Sequence, residues 1–257
     1  MADTQHTRVA LVTGASRGLG ETVARRLASR GYALVLNARG TADLDAVAES
    51  VRAQGARVRT VAGDLVSVRT RDALVQAAAT FGGLDLLVNN ASELGGIGPI
   101  ADASVERLER LWRINVIAPL ALTRVALPQL AARHGTVVNV SSDAAIGAYA
   151  GWGAYGSTKA ALDLITRTLA VELKDRDVSV LGVDPGDMRT RMHQEAFPGE
   201  DISDRPLPDV TIPFWEWMLD QIDQRDRPDR PDRSPVAAIS GERFQAQAED
   251  ERWAVRV

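Results

Sequence analysis

Short apolar runs rich in β-branched residues and Leu recur along the chain at 9–12, 33–36, 58–61, 84–88, 136–140 and 178–183. None alternates strictly between apolar and polar. A continuous apolar run of this length suits a strand covered on both faces, as in a parallel sheet. Between the runs, segments 19–29, 44–53, 70–79, 105–130 and 155–173 carry apolar residues at helical spacing among good helix formers. The order is βαβαβα. It predicts an α/β fold: one Rossmann-type domain over 1–257, with a doubly wound parallel sheet of about seven strands and helices on both faces. Ligands of such sheets bind at the carboxyl ends of the strands, so chemistry is expected just after each strand.

The regularity stops after Val183. Residues 184–213 are rich in Pro, Gly and Asp without a sustained period and read as a long loop at the substrate side. A short helix, 214–222, follows. Residues 225–233 repeat Arg, Asp and Pro, a charged low-complexity stretch that resists helix formation and reads as a mobile insertion. A last strand is expected within 242–246.

Composition narrows the chemistry. With 257 residues, 45% of them hydrophobic and 25% charged, the chain has the make-up of a globular protein with a full core. A net charge of -4 and the lack of a basic block give no footprint for nucleic acid. Cysteine is absent, which excludes disulfides, thiolate nucleophiles and Cys-ligated metal. The three histidines, His6, His134 and His193, match no ligand spacing, so no metal is expected. No apolar run reads as a signal core or a bilayer span, which predicts a cytoplasmic protein without membrane contact. Of 30 basic residues only Lys159 and Lys174 are lysine, so each lysine stands out.

Thr13-Gly14-Ala15-Ser16-Arg17-Gly18-Leu19-Gly20 follows the first strand and leads into a helix. Glycines let the backbone approach a pyrophosphate, and a helix N-terminus offers free N–H groups. A dinucleotide site is therefore expected. Tyr155 and Lys159 are four apart at the start of a helix, which places both side chains on one face. Three Tyr and two Lys in 257 positions give a chance Tyr-x-x-x-Lys pair only about 0.02 times per chain. A phenol titrates near 10 in water, and a neighbouring ammonium makes it a more useful acid or base near neutrality.

These motifs resemble the short-chain dehydrogenase/reductase family, whose glycine pattern is TGxxxGxG. Asp64, Asn89-Asn90-Ala91, Asn115, Ser142, Tyr155, Lys159 and Pro185-Gly186 follow in the family's order and spacing, so the resemblance covers about 8–192. It implies a catalytic set of Asn115, Ser142, Tyr155 and Lys159, with Ser142 rather than Ser141 as the active hydroxyl. It also implies cofactor contacts from Gly14, Ser16, Arg17, Gly18, Leu19, Gly20, Asp64, Leu65, Asn90, Ala91, Pro185, Gly186, Met188 and Thr190. Asp64 would accept from the adenine amino group. Asn115 would hold water in a proton relay, and Lys159 would bind the nicotinamide ribose.

The second strand ends Leu36-Asn37-Ala38-Arg39 without the acid that binds ribose hydroxyls, and Arg17 lies in the glycine loop. Two guanidinium groups fork onto a 2′-phosphate, which favours NADPH/NADP+ over NADH/NAD+. The implied reaction is reduction of a small ketone to a secondary alcohol, with Tyr155 giving the proton. The alternatives are an alcohol or polyol dehydrogenase working oxidatively, and a non-catalytic NADPH-sensing regulator.

Ser92 replaces the glycine usual after Asn-Asn-Ala, and Asp184 and Asp187 are unusual around the Pro-Gly turn. Ser92, Trp152, Asp187 and Met192 are candidate substrate contacts. With Met188, Phe197, Phe214, Trp215 and Trp217 they fall where the family builds its pocket, implying an apolar or aromatic ketone. The alternative is plain packing, since aromatic residues on a short helix more often fill a core or a subunit interface. A homo-oligomer, dimer or tetramer, is expected. The family's C-terminal Asp-Gly-Gly is absent.

Overall fold

The computed structural model describes residues 7–224, 235–248 and 253–255. The charged stretch at 225–233 lies outside them. Strands β1 (Val9–Thr13), β2 (Ala33–Ala38), β3 (Val58–Ala62), β4 (Leu86–Asn89), β5 (Thr136–Val140), β6 (Ser179–Asp184) and β7 (Arg243–Gln245) pair in parallel. A two-residue strand β8 (Ala254–Val255) pairs antiparallel at the edge. The order is β3-β2-β1-β4-β5-β6-β7-β8. The sheet turns back between β1 and β4, and the crevice at their carboxyl ends is where such folds bind ligands.

The apolar runs have their physical reason in the two faces. In β1, Ala10 and Val12 pack on one side with α1 (Gly18–Ser29) and α2 (Ala42–Ala53), while Val9 and Leu11 pack on the other with α3 (Val68–Ala79). Successive side chains point oppositely and both sides are covered, so apolar residues are favoured at both parities.

Segment 105–130 was expected as one helix. It divides into α4 (Val105–Trp112), a π-helical turn (Arg113–Ile117) and α5 (Ala118–Ala132). Together, Val105–Ala132 are long and apolar enough to cross a bilayer by length and composition only, as the core helix of a folded domain also is. This corrects no more than the reading that no run reaches that length. Half of the apolar window is buried, with Ile114, Leu122, Ala126 and Leu130 facing the sheet's core. α6 (Gly153–Glu172) covers the same face.

The long loop is not structureless. It contains α7 (Arg191–Ala196), capped by the Thr190 hydroxyl, which accepts from the His193 N–H, and a 3-10 turn (Pro208–Thr211) held against α1 by a Thr22–Asp209 hydrogen bond. α8 (Ile212–Asp223) follows, then the short α9 (Pro235–Ala238). Of the two roles open to Phe214, Trp215 and Trp217, the structure shows packing: they join Phe244 and Trp253 in an aromatic cluster on the α1 side of the sheet. Replacing the fully buried Phe214 with Ala should cost about 3–5 kcal/mol, seen as a lower denaturant midpoint, without altering the affinity of the dinucleotide cleft.

Candidate active site

The cleft at the carboxyl ends has a volume of about 1190 Å³ and runs from Arg39 at one end to Tyr155 and Lys159 at the other. Its floor is the glycine loop. Gly14 and Gly18 have φ of +64° and +56°, which L side chains rarely adopt. A Cβ on Gly20 would lie 2.2 Å from the Gly14 carbonyl oxygen. Thr13 and Asn90 fix this loop to β4. Thr13 Oγ1 accepts the Asn90 and Ala91 N–H groups, each at 3.0 Å, and Asn90 Nδ2 donates to the Thr13 and Gly14 carbonyls at 2.8 and 3.1 Å.

Of the expected cofactor residues, Gly14, Ser16, Arg17, Gly18, Leu19, Gly20, Arg39, Leu65, Asn90, Ala91, Pro185, Met188 and Thr190 line the cleft, as do Tyr155 and Lys159. Gly186 shapes the turn behind Pro185 with φ of +71°. Asp64 stands apart from the lining: its carboxylate accepts from the Val66 N–H at 2.9 Å and from Arg110 at 2.9 Å. Partial burial pushes that carboxyl up, but these donors outweigh it and hold it below the usual range.

At the Arg39 end the structure adds carboxylates that the strand-end pattern could not reveal. Arg39 pairs with Glu93 at 2.6 Å, and Arg110 bridges Glu93 at 2.7 Å and Asp64. Arg17 lies 4.0 Å from Asp43. Glu93 and Asp43 both line the cleft.

At the other end Tyr155 and Lys159 are buried, with Lys159 Nζ 5.6 Å from the Tyr155 ring centroid and donating to the Val140 carbonyl at 2.8 Å. Burial pushes the Tyr155 phenol well above its ordinary value, against hydrogen bonds from Ser142 and Ser92 that favour the phenolate. Burial also lowers Lys159, to about 8, against the pull of Asp163 and Asp184. Desolvation is the largest influence on the phenol, and it raises it.

Ser142 caps a 3-10 turn, accepting from the Ala144 N–H at 3.2 Å and donating to Asp143 at 3.1 Å. Asn115 is spent on bracing. Its Oδ1 accepts from Ser92 Oγ at 3.0 Å and the Glu93 N–H at 2.9 Å, and its Nδ2 donates to the Glu93 carbonyl and to Thr158. Ser92 and Met192 line the cleft, while Trp152 packs 6.0 Å from Tyr155 and 6.2 Å from Phe197. Asp187 instead faces His193 and Arg205 on the outer side of the loop, 3.7 and 3.8 Å away.

A nicotinamide dinucleotide fits what the residues leave open. The first turn of α1 has no side-chain cap, so its N–H groups remain free for a pyrophosphate. Ser141, passed over in favour of Ser142, lines the cleft with a buried Oγ that has no partner among the described residues. The glycine cradle, the cleft and the Tyr155–Lys159 pair together define a dinucleotide-dependent oxidoreductase site.

The short chain dehydrogenase family profile matches residues 8–201. An L-xylo-3-hexulose reductase of Hypocrea jecorina is 36% identical over 77% of this chain and 72% of its own. A putative short chain dehydrogenase of Pseudomonas syringae superposes with a TM-score of 0.82 at 31% identity, over 93% of this chain and 94% of its own. A short chain dehydrogenase of Shigella flexneri complexed with NADP gives 0.81 at 29%, over 96% of this chain and 100% of its own. The chain belongs to the short-chain dehydrogenase/reductase family and is an NAD(P)-dependent oxidoreductase.

Gly20→Ala tests the cradle. Its methyl meets the Gly14 carbonyl and lies 2.6 Å from Asn90 Nδ2, strain of about 1–3 kcal/mol. A lower melting midpoint and weaker dinucleotide binding by calorimetry are expected.

Proposed function

We propose that this enzyme uses NADPH to reduce the ketone of a small apolar or aromatic substrate to a secondary alcohol. The observation that carries this reading is one dinucleotide cleft that holds Tyr155, beside Ser142 and Ser92, and Lys159 at one end and Arg17 and Arg39 at the other. The lack of an acid at the end of β2, with Arg39 there and Arg17 in the glycine loop instead, favours NADPH and with it reduction over the oxidative alternative. An intact Ser142, Tyr155 and Lys159 set speaks against a purely sensory role.

When bound, the dinucleotide supplies the hydride. The residues do the rest. Ser142 and Tyr155 donate to the carbonyl oxygen as negative charge builds on it, and Tyr155 transfers its proton. Lys159 holds the nicotinamide ribose, and its cation favours the phenolate left behind. Asn115 fixes Ser92 next to Tyr155, a polar path for returning the proton. Trp152, Met192 and Phe197, clustered around Tyr155, form the apolar wall that selects the substrate.

Arg17 and Arg39 support the NADPH preference, as does the NADP complex of the Shigella neighbour. Exposed Val125 on α5 and Leu164 and Val171 on α6 support a homo-oligomer.

A panel of ketones assayed with NADPH and with NADH, following cofactor absorbance, tests the reaction. NADPH-dependent turnover is expected, and Tyr155→Phe should lower it about a hundred- to ten-thousand-fold with NADPH binding nearly intact. Full activity in that variant, or activity with NADH alone, would overturn the reading. Glu93 competes with a phosphate for Arg39, so Glu93→Gln should tighten NADPH about two- to fivefold, the worth of one exposed ion pair. NADH affinity should stay unchanged in the same fluorescence titration.

A further inference from the structure

Arg243 lies on β7, beyond residue 201 where the family profile ends. It is 7% exposed, yet its guanidinium reaches three segments that carry the site. Nε donates to Asp163 at 3.1 Å, and Nη2 donates to the Ser142 carbonyl at 2.9 Å and to Asp184 at 3.0 Å. Asp163 is one turn past Lys159 on α6, on the same face. Asp184 ends β6, directly before Pro185 and Gly186.

The ionisable groups that face Lys159 are Asp163 and Tyr155 from its own helix and Asp184 from β6, and Arg243 from β7 pairs with both of the carboxylates. Asp143, on the turn after Ser142, acts on Tyr155 and Asp184. One guanidinium and two carboxylates leave a single negative charge, which a protonated Lys159 balances. Buried charge is tolerated only when paired and hydrogen-bonded in this way.

We infer that Arg243 is a positioning residue: it anchors Ser142 through its carbonyl and, by balancing Asp163 and Asp184, sets the charge state of Lys159. The carboxylates favour the ammonium and the guanidinium opposes it. Without Arg243, both carboxylates would turn to Lys159 as their only cation. Without Asp184, the guanidinium would be left in excess and would push the ammonium to release its proton. Asp184, unusual before the Pro-Gly turn, thus has its explanation on a strand about sixty residues away.

The inference rests on the proposed role of Lys159 but is tested without turnover. The chain has only two lysines, Lys159 and an exposed Lys174 that serves as internal reference. With ¹³C-labelled lysine the full-length protein gives two Cε resonances, assigned with Lys174→Arg and followed against pH by NMR. In the unaltered protein Lys159 should titrate near 8. Asp184→Asn should lower that midpoint by about 1 pH unit or more, and adding Arg243→Met to it should bring it back.

Arg243→Met alone should raise the midpoint. If that single variant does not fold by circular dichroism, the comparison of Asp184→Asn with the double variant decides. Equal midpoints in those two proteins would reduce Arg243 to a structural anchor and overturn the inference. Tyr155→Phe retaining turnover while these midpoints move as expected would overturn the proposed reaction alone.

Discussion

Thr13 is where the sheet hands over to the site. Its hydroxyl donates to the Val88 carbonyl at 3.2 Å and accepts the N–H groups of Asn90 and Ala91, so the ends of β1 and β4 are tied where the strand order reverses. Asn90 then takes up the carbonyls of Thr13 and Gly14. Little room is left: a Cβ on Gly14 would sit 2.9 Å from Asn90 Nδ2. The loop can pass only as glycine, and its left-handed turns aim α1 at the cleft. Displacing this tie would move the phosphate cradle relative to Ser92 and Asn115, which continue the same segment to Tyr155.

Burial governs the far end of the cleft. Taking a phenol and an ammonium out of water raises the first and lowers the second, so both are pushed toward their neutral forms. The surrounding groups oppose this: hydroxyls of Ser142 and Ser92 act on Tyr155, and carboxylates of Asp163 and Asp184 act on Lys159. Lys159 is thereby left near 8, within reach of proton exchange at working pH, whereas a fully solvated lysine would stay charged. The fold supplies the low dielectric, and a few side chains decide how much of it each group feels.

How much of this was readable in the chain depends on sequence distance. The strands were visible because two-sided burial writes itself as uninterrupted apolar runs, as in Val9–Thr13. The glycine loop and the Tyr155–Lys159 pair are local patterns whose geometry follows from spacing alone. Glu93 was not visible, because its meaning lies in partners 54 and 17 residues away, Arg39 and Arg110. Arg243 likewise reads as one more arginine among many until β7 pairs beside β6. The aromatic residues of α8 left pocket and core both open for another reason: amphipathic helices over a pocket and over a core share one pattern, and only the packing of Phe214 on Phe244 and Trp253 tells them apart. α7 escaped because at six residues it spans too few turns to show a period.

The adenosine end shows how magnitudes settle a contest of charges. Arg39 is 61% exposed and paired with Glu93, and Arg17 sits 4.0 Å from Asp43 with both side chains largely in solvent. Such pairs contribute about 0–1 kcal/mol. A phosphate that takes charge-assisted hydrogen bonds from a guanidinium gains about 1.5–3 kcal/mol for each. On these magnitudes the proposed 2′-phosphate would displace Glu93 from Arg39 rather than the reverse. Glu93 does not swing free when displaced, because Arg110 holds it at 2.7 and 3.0 Å and is itself anchored on Asp64. On the proposed NADPH reading the carboxylate would lower the attraction of Arg39 for a 2′-phosphate without abolishing it, and the Asp64–Arg110–Glu93 chain would set how sharply the cleft discriminates between the two nicotinamide cofactors.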